Sequence, residues 1–395
     1  MRPGAGGVEI YIKSVCEALK NRISFSVLCD RQQGLPVHEK RPEAEVYRVT
    51  PSRDAESLPG KIFDLAVNEP LREKARKKFF DELDYDLVHV HGPVCYSGTV
   101  HTGSFFYPFY DLQAWTKVEK PIVFTFHGLS EVILWYKYKN PLLQPFFDGW
   151  KLAERKNIEK ARRVICVEKY AYDDLRRRKG IDSSKLIFLL NGIDLEKFKP
   201  VSKKSARKHF SKLSGLDLDG DIVFAYVNRL AKDKGIEHIL KLAERLNTNL
   251  SGYKFLIVGD GPYREQVIEL CKRNPNFVYL GTLPYEKIPV LLNACDYAVN
   301  PTLNPGALRA NMEAIACYVP VITFEAGDRF PVIEGETGYL YRNVDELAEL
   351  FGKAIKGKLE IRNFFENCAK IRESYNLRTV ARKIYDTYDE ILGGV

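Results

Sequence analysis

The chain contains no run of about eighteen apolar residues, so no segment reads as a membrane-spanning helix. Its opening, Met1-Arg2-Pro3-Gly4-Ala5-Gly6-Gly7, has no apolar core of the kind a secretory signal requires. A cytoplasmic location is expected, and peripheral contact with the inner face of a membrane stays open beside it. The eight cysteines, at 16, 29, 95, 166, 271, 295, 317 and 368, form no Cys-x-x-Cys pair. Most lie inside apolar runs such as Arg163-Val164-Ile165-Cys166-Val167, so they read as buried thiols. There is no long basic tail, no low-complexity tract and no short-period repeat, and nucleic acid is not an expected partner.

What is present is the composition of a soluble globular protein. Of 395 residues, 45% are hydrophobic, 12% aromatic and 28% charged. At roughly 150 residues per domain the length suggests two or three domains. Sixty Lys and Arg against 52 Asp and Glu leave a net +8 with both signs interspersed. An anionic small molecule or an acidic membrane surface would suit that excess.

Short β-branched or aromatic runs alternate with helical patterns from end to end, which predicts α/β architecture. Strands are expected at 23–29, 44–49, 86–91, 121–127, 163–168 and 186–190. Most are nearly all apolar, as in a parallel sheet buried on both faces. A polar, Pro-containing stretch at 198–207 reads as a linker between a first domain, 1–197, and a second, 208–376. The alternation restarts with strands at 221–227, 254–258, 277–281, 297–300 and 319–324. The chain therefore reads as two tandem Rossmann-like doubly wound domains facing a cleft. A last amphipathic segment at 377–392 carries Val380, Ile384, Tyr388 and Ile391 at helical spacing and is expected to pack back on the first domain. In such sheets ligands sit at the carboxyl ends of strands, where helix N-termini offer free N–H groups.

Two stretches carry the chemistry of such a site. In Tyr226-Val227-Asn228-Arg229-Leu230-Ala231-Lys232-Asp233-Lys234-Gly235, Arg229 and Lys234 lie five residues apart across a strand-to-helix turn. They can converge on an anion such as a diphosphate; the bland alternative is a solvated first turn paired within itself. The second stretch is Asn300-Pro301-Thr302-Leu303-Asn304-Pro305-Gly306, leading to Glu313, the only carboxylate in the apolar run 312–316. A buried carboxylate needs partners, and the two hydroxyls of a ribose would serve; otherwise Glu313 is an exposed helix residue. His127 ends a buried strand before Gly128. His89 and His91 share one face of another strand, and only His91, at its end, is a credible site residue. No carboxylate or cysteine at ligand spacing accompanies these histidines, so metal ligation is not indicated. Gly259-Asp260-Gly261-Pro262 reads as a structural turn leading into a helix.

Taken in order, these stretches resemble the retaining glycosyltransferases of the family 4 type (glycosyl transferases group 1), which use the GT-B fold. The matching runs are Gly6-Gly7-Val8-Glu9, His89-Val90-His91, Phe124-Thr125-Phe126-His127-Gly128 and Asn191-Gly192-Ile193-Asp194. They continue with Arg229 to Lys234, Val258-Gly259-Asp260-Gly261-Pro262, Leu280-Gly281, and Glu313-Ala314 ahead of Val319-Pro320-Val321-Ile322. The resemblance implies transfer of a sugar from a nucleotide diphosphate sugar to an acceptor hydroxyl, without a metal or other cofactor. By the same resemblance Arg229 and Lys234 grip the donor diphosphate, Glu313 binds its ribose and His127 faces the transferred sugar. Gly6 and Gly7 let backbone approach the donor and acceptor, Gly306 keeps the pattern of the donor loop, and Leu283 lies near the nucleotide base. The acceptor is left open among a glycan, a lipid-linked acceptor and a small molecule.

The chain departs from that pattern in two places. Where the family carries the first of its paired glutamates stands Pro305, and Arg309 adds an unexpected cation, for which a third phosphate contact is one expectation. The hydrophobic strand that the family places before its Gly-Gly loop is not seen ahead of Gly6, which suggests a true start upstream or a truncated form. Phe105-Phe106-Tyr107-Pro108-Phe109-Tyr110 and Trp135-Tyr136-Lys137-Tyr138-Lys139 suit a membrane interface, a sugar or lipid-linked acceptor, or plain packing. The Pro305 departure keeps a non-catalytic nucleotide-sugar-binding or scaffold role in view. A sugar-nucleotide epimerase is the enzyme rival, although no convincing set of extra acid/base carboxylates is found for it.

Overall fold

The computed structural model describes residues 7–31, 34–50, 69–91, 118–127, 155, 158–177, 180–246, 250–303, 309–326 and 329–393. The chain divides into two compact α/β units. One, here the C-terminal unit, takes residues 191–379 together with those up to Ile10; the other takes 11–190 and the chain from Val380 onward.

In the N-terminal unit, β1 (Ser26–Asp30) pairs in parallel with β3 (Glu45–Val49), and β2 (His38–Lys40) runs antiparallel to β3. A second sheet is fully parallel, in the order β4 (Val88–His91), β5 (Ile122–Phe126), β6 (Arg163–Cys166), β7 (Leu186–Phe188). β5, Ile-Val-Phe-Thr-Phe, is buried at every position, as a central parallel strand with covered faces should be. Not all expected strands are so enclosed, since Ser26 and Cys29 of β1 are exposed.

The C-terminal unit holds a six-stranded, all-parallel sheet in the order β10-β9-β8-β11-β12-β13. Its strands are β8 (Ile222–Val227), β9 (Tyr253–Val258), β10 (Phe277–Tyr279), β11 (Tyr297–Asn300), β12 (Val321–Phe324) and β13 (Gly338–Tyr341). This is the doubly wound order 3-2-1-4-5-6, and it reverses between β8 and β11. The core beneath it is aromatic. Phe351 stacks on Phe224 at 4.0 Å, and Phe255 stacks on Phe277 at 5.1 Å. Helix Ile236–Arg245 buries Ile236, Ile239 and Leu242, spaced to one face.

Two expectations need correction. Within 198–207, expected as a linker, Phe198 is buried and Ser202 precedes helix Lys203–Ser214, and the boundary between the two compact units falls at 190/191. Arg207 bonds the carbonyls of Ala294, Leu218 and Asp221 and the Asp296 carboxylate, so polar residues that read as solvated tie this segment to its own unit. Ala206 and Phe210, four apart, carry the buried face of that helix. Strands β2 and β13 were not anticipated; both are short, and β13 opens on Gly338, where a Cβ would come within 2.1 Å of the Val321 carbonyl. Among the thiols, Cys16, Cys166, Cys295, Cys317 and Cys368 are buried, but Cys29 is exposed and Cys271 only partly covered; Cys95 lies outside the described residues. Among the described residues no helix is long and apolar enough to cross a membrane.

The last helix, Leu377–Leu392, places Val380, Ala381, Ile384 and Tyr388 in one cluster with Tyr11, Val15, Leu19, Val123, Ile165 and Leu189. The two ends of the N-terminal unit's sequence thus close its core. Because Ile384 is fully buried there, Ile384→Ala is expected to cost about 2–5 kcal/mol of unfolding free energy, measured by urea denaturation. A cost near zero would show that the helix is not integral to that core.

Candidate functional site

A strand-order reversal sends the loops after β8 and β11 apart and leaves the carboxyl ends of both strands uncovered. The expected anion-binding residues lie on the first of these loops. After β8 the chain passes Asn228 and Arg229, makes a 3-10 turn at Lys232–Lys234, and enters helix Ile236–Arg245. Arg229 Nη2 and Lys234 Nζ reach opposite oxygens of one carboxylate, Asp233, at 3.0 and 3.7 Å. The two cations therefore converge on one small volume. The bland alternative also holds in part, since the partner they share is a neighbour in their own turn.

Two glycines bring the surrounding backbone this close. Gly235 has φ +70°, and a Cβ there would stand 1.9 Å from the carbonyl oxygen of Pro301, just beyond β11. Gly259 has φ +141°, and its Cβ would stand 1.8 Å from the Asn228 carbonyl oxygen. Any larger residue would displace the Arg229 loop. The Gly259–Pro262 turn expected from the sequence thus braces that loop: Leu230 N donates to Asp260 O, and Tyr263 N to Leu230 O. The buried Tyr226 hydroxyl donates to the Arg229 carbonyl at 2.8 Å.

Beneath the loops lies an amide network that the sequence reading missed. Asn300 Nδ2 donates to Asn311 Oδ1 at 2.7 Å, and Thr302 Oγ1 to Asn300 Oδ1 at 2.7 Å. Asn228 Oδ1 accepts from the Arg229 backbone N–H at 2.9 Å. Asn300, Thr302 and Asn311 are all buried, and such residues are held in place by being bonded.

Glu313 lies on helix Arg309–Ala316 and is 6% exposed, so the buried alternative is the one found. Its Oε1 accepts from Arg309 Nε at 2.8 Å and from the Tyr285 hydroxyl at 2.8 Å. Arg309 Nη2 in turn donates to the Tyr285 oxygen at 2.7 Å, and Nη1 to the Gly192 carbonyl at 3.3 Å. Burial pushes the Glu313 carboxyl above its usual range, opposed by the Arg309 charge and the Tyr285 hydrogen bond. Leu283, partly buried, stands two residues before Tyr285. Tyr285 was not anticipated, for nothing marks a tyrosine in a loop 28 residues from the carboxylate it serves.

The N-terminal unit gathers three histidines at the ends of β4 and β5. His91 Nδ1 and His127 Nε2 share a hydrogen bond at 3.2 Å, and the His89 and His91 rings stack at 4.1 Å. His89 also bonds the Tyr388 hydroxyl and, at 2.7 Å, Thr125 Oγ1. Tyr11 sets its ring edge-on to His91 and His127. Burial pulls His89 down to about 3 and His127 to about 4, and holds His91 well below its ordinary value, so all three are neutral at pH 7. His89, expected to be the lesser member, is bonded into the same group.

Gly7 begins helix Gly7–Leu19. Gly6, Pro305, Gly306 and the two aromatic stretches at 105–110 and 135–139 lie outside the described residues. Among the described residues no group of three or more His, Cys, Asp or Glu is placed to hold a metal ion.

Residues 5–197 match the family described as Glycosyltransferase Family 4, and residues 212–372 match Glycosyl transferases group 1. TuaC of Bacillus subtilis, assigned by its name to teichuronic acid biosynthesis as a glycosyltransferase, is 25% identical over 83% of this chain and 78% of its own length. Several other curated relatives are matched over only about half their length. Among solved structures, sucrose-phosphate synthase from Thermosynechococcus elongatus superposes with a TM-score of 0.78 at 21% identity, covering 99% of this chain and 95% of that one. Anabaena HepE, solved in complex with UDP-glucose, gives 0.68 at 17% identity, covering 99% and 98%. At these identities the structural likeness establishes the fold, two Rossmann-like units of GT-B type.

The neutral histidines set an acid limit on the N-terminal unit. Folded, they bind fewer protons than unfolded, so their contribution is complete above the ordinary histidine pKa of about 6.5 and declines as pH falls from there toward about 4. Each such group removes about 1.4 kcal/mol per pH unit within that window. Melting temperature measured from pH 7.5 to 4.5 is expected to fall more steeply for the native protein than for His89→Gln or His127→Gln. Equal slopes would show that these rings protonate freely in the fold.

Proposed function

We propose, starting from a glycosyltransferase of GT-B fold related to family 4 through its first half and to the group 1 transferases through its second, that the protein retains anomeric configuration. It takes a sugar from a nucleotide diphosphate sugar and passes it to an acceptor hydroxyl. The observation that carries this reading is the convergence of Arg229 and Lys234 at the carboxyl end of β8. Departure of a nucleoside diphosphate leaves negative charge on the leaving oxygen. Two cations fixed by a braced backbone stabilise that charge as it develops, the main way a protein without a resident metal lowers such a barrier. HepE, of the same fold, was solved with UDP-glucose, and a starch synthase of this fold with ADP, which supports a nucleotide ligand.

Asp233 is the natural place-holder for the diphosphate. Arg229 and Asp233 are each more than a third exposed, so their pairing is worth about 0–1 kcal/mol and yields to a ligand carrying more charge. Glu313 supplies the opposite chemistry, a carboxylate for the ribose hydroxyls. His127, neutral at physiological pH, serves the transferred sugar as a hydrogen-bonding group and not as a cation. Arg309 has three of its five N–H donors engaged by Glu313, Tyr285 and Gly192, so its place in the fold is accounted for without a phosphate.

Calorimetric titration with UDP, GDP and ADP, followed by product formation from the matching sugar donors, tests the reading. Selective binding of one nucleotide is expected, weakened about 10–100-fold in Lys234→Ala. Turnover in that variant is expected to fall about 10²–10³-fold. Binding without turnover across a donor and acceptor panel would favour a nucleotide-sugar-binding role. No binding at all would overturn the donor site.

A further inference from the structure

The group around Glu313 is a closed triangle with one open corner. The Tyr285 hydroxyl gives its only proton to Glu313 Oε1 and takes the Arg309 Nη2 proton on its oxygen, while Arg309 Nε also donates to Oε1. Both bonds to the carboxylate thus fall on the same oxygen, and no described residue donates to Oε2. The Glu313 side chain is 9% exposed and that of Arg309 12%, so neither can drift to another partner without breaking largely buried charge-assisted bonds. The guanidinium also lies over the Tyr285 ring at 5.6 Å, and Nη1 is tied to the Gly192 carbonyl.

We propose that Arg309 and Tyr285 are positioning residues that clamp Glu313 through Oε1 and present Oε2, ionised and in one orientation, to a ligand hydroxyl. In the donor-site reading, on which this inference rests, that hydroxyl belongs to the ribose of the nucleotide. The clamp gives Arg309, the unexpected cation of the donor loop, a role that needs no contact with phosphate. It also narrows recognition, because the diol meets one carboxylate oxygen rather than two.

Removing the clamp changes the ionisation of Glu313. Burial already raises its pKa, and the Arg309 charge is the largest influence holding it down, followed by the Tyr285 hydrogen bond. The other titratable groups around this helix do not replace them. Cys317, at its end, is a neutral thiol, and Arg372, from helix Phe364–Arg372, donates to the carbonyls of Leu195 and Phe198 and lies over the Tyr318 ring. With Arg309 gone, Glu313 holds its proton to higher pH and loses its strength as an acceptor. The carboxylate returns as pH rises.

The test is calorimetric titration of the full chain and of Arg309→Ala, Arg309→Lys and Tyr285→Phe at pH 6 and pH 8.5. The probes are UDP, GDP and ADP and the 2′,3′-dideoxy form of whichever binds, with each variant expressed as a ratio to the unsubstituted protein at the same pH. Arg309→Ala is expected to bind the ribonucleotide about tenfold or more weakly at pH 6 and to recover much of the loss at pH 8.5. Arg309→Lys, which keeps the charge, should recover most of the binding at both values, and Tyr285→Phe should show a smaller shift of the same sign. The deficits should vanish with the dideoxy nucleotide, which offers Glu313 no hydroxyl. An equal deficit for ribo and dideoxy forms, independent of pH, would overturn the clamp and make Arg309 a phosphate contact or a purely structural residue. Unchanged binding in Arg309→Ala would overturn it as well. If Arg309→Ala does not fold, the Arg309→Lys and Tyr285→Phe results decide alone. A native protein that binds none of the three nucleotides fails the donor-site reading itself, whereas native binding with indifferent variants fails only the clamp.

Discussion

Everything the C-terminal unit can do depends on one reversal in its sheet. β8 and β11 lie side by side, yet the chain leaves β8 toward β9 and leaves β11 toward β12, on opposite sides. Because parallel crossovers are right-handed, these two departures put their helices on opposite faces and open the strand ends between them. Arg229 follows one strand, Asn300 ends the other with Thr302 just beyond it, and Glu313 rides on the helix that comes next. In a sheet wound in one direction throughout, the same residues would be spread along an edge.

The charges gathered there fall into two regimes. Arg229, Lys234 and Asp233 face water at least in part, and their mutual attraction is weak enough to be exchanged for a ligand's. Glu313 is buried and Arg309 and Tyr285 are mostly covered, and parting a buried pair costs about 3–5 kcal/mol because it leaves an uncompensated charge. The exposed group can trade partners, while the buried group holds one geometry. In the proposed reading, leaving-group stabilisation tolerates the first kind of arrangement, since a diphosphate would have to enter and depart, and recognition of a fixed diol needs the second, since the orientation is set before the ligand arrives.

The N-terminal unit answers a different constraint, the placing of polar rings within an apolar sheet. His89, His91 and His127 stay neutral and satisfy one another, Thr125 and Tyr388 by hydrogen bonds. Tyr388 arrives from the far end of the chain on the helix whose apolar face completes this unit's core. The histidines and the chain terminus therefore depend on each other, which no local pattern around residue 89 or 127 announces.

The periodic parts of the molecule were legible from the residues alone. Alternating apolar runs foretold most of the strands and the two α/β halves, because strand burial acts over a few neighbouring residues. The stretch at 198–207 shows the limit: it is merely polar in the sequence, and the partners of Arg207 at 218, 221, 294 and 296 lie 11 to 89 residues away. Arg309 and Glu313 stand at helical i, i+4 spacing and could have been paired on the page, but Tyr285 could not. Which oxygen of Glu313 is taken, which histidine bonds which, and where Asp233 sits between two cations were decided only by tertiary structure. Hydrogen bonds and burial depend on distances between segments remote in sequence, and a local pattern carries no record of them.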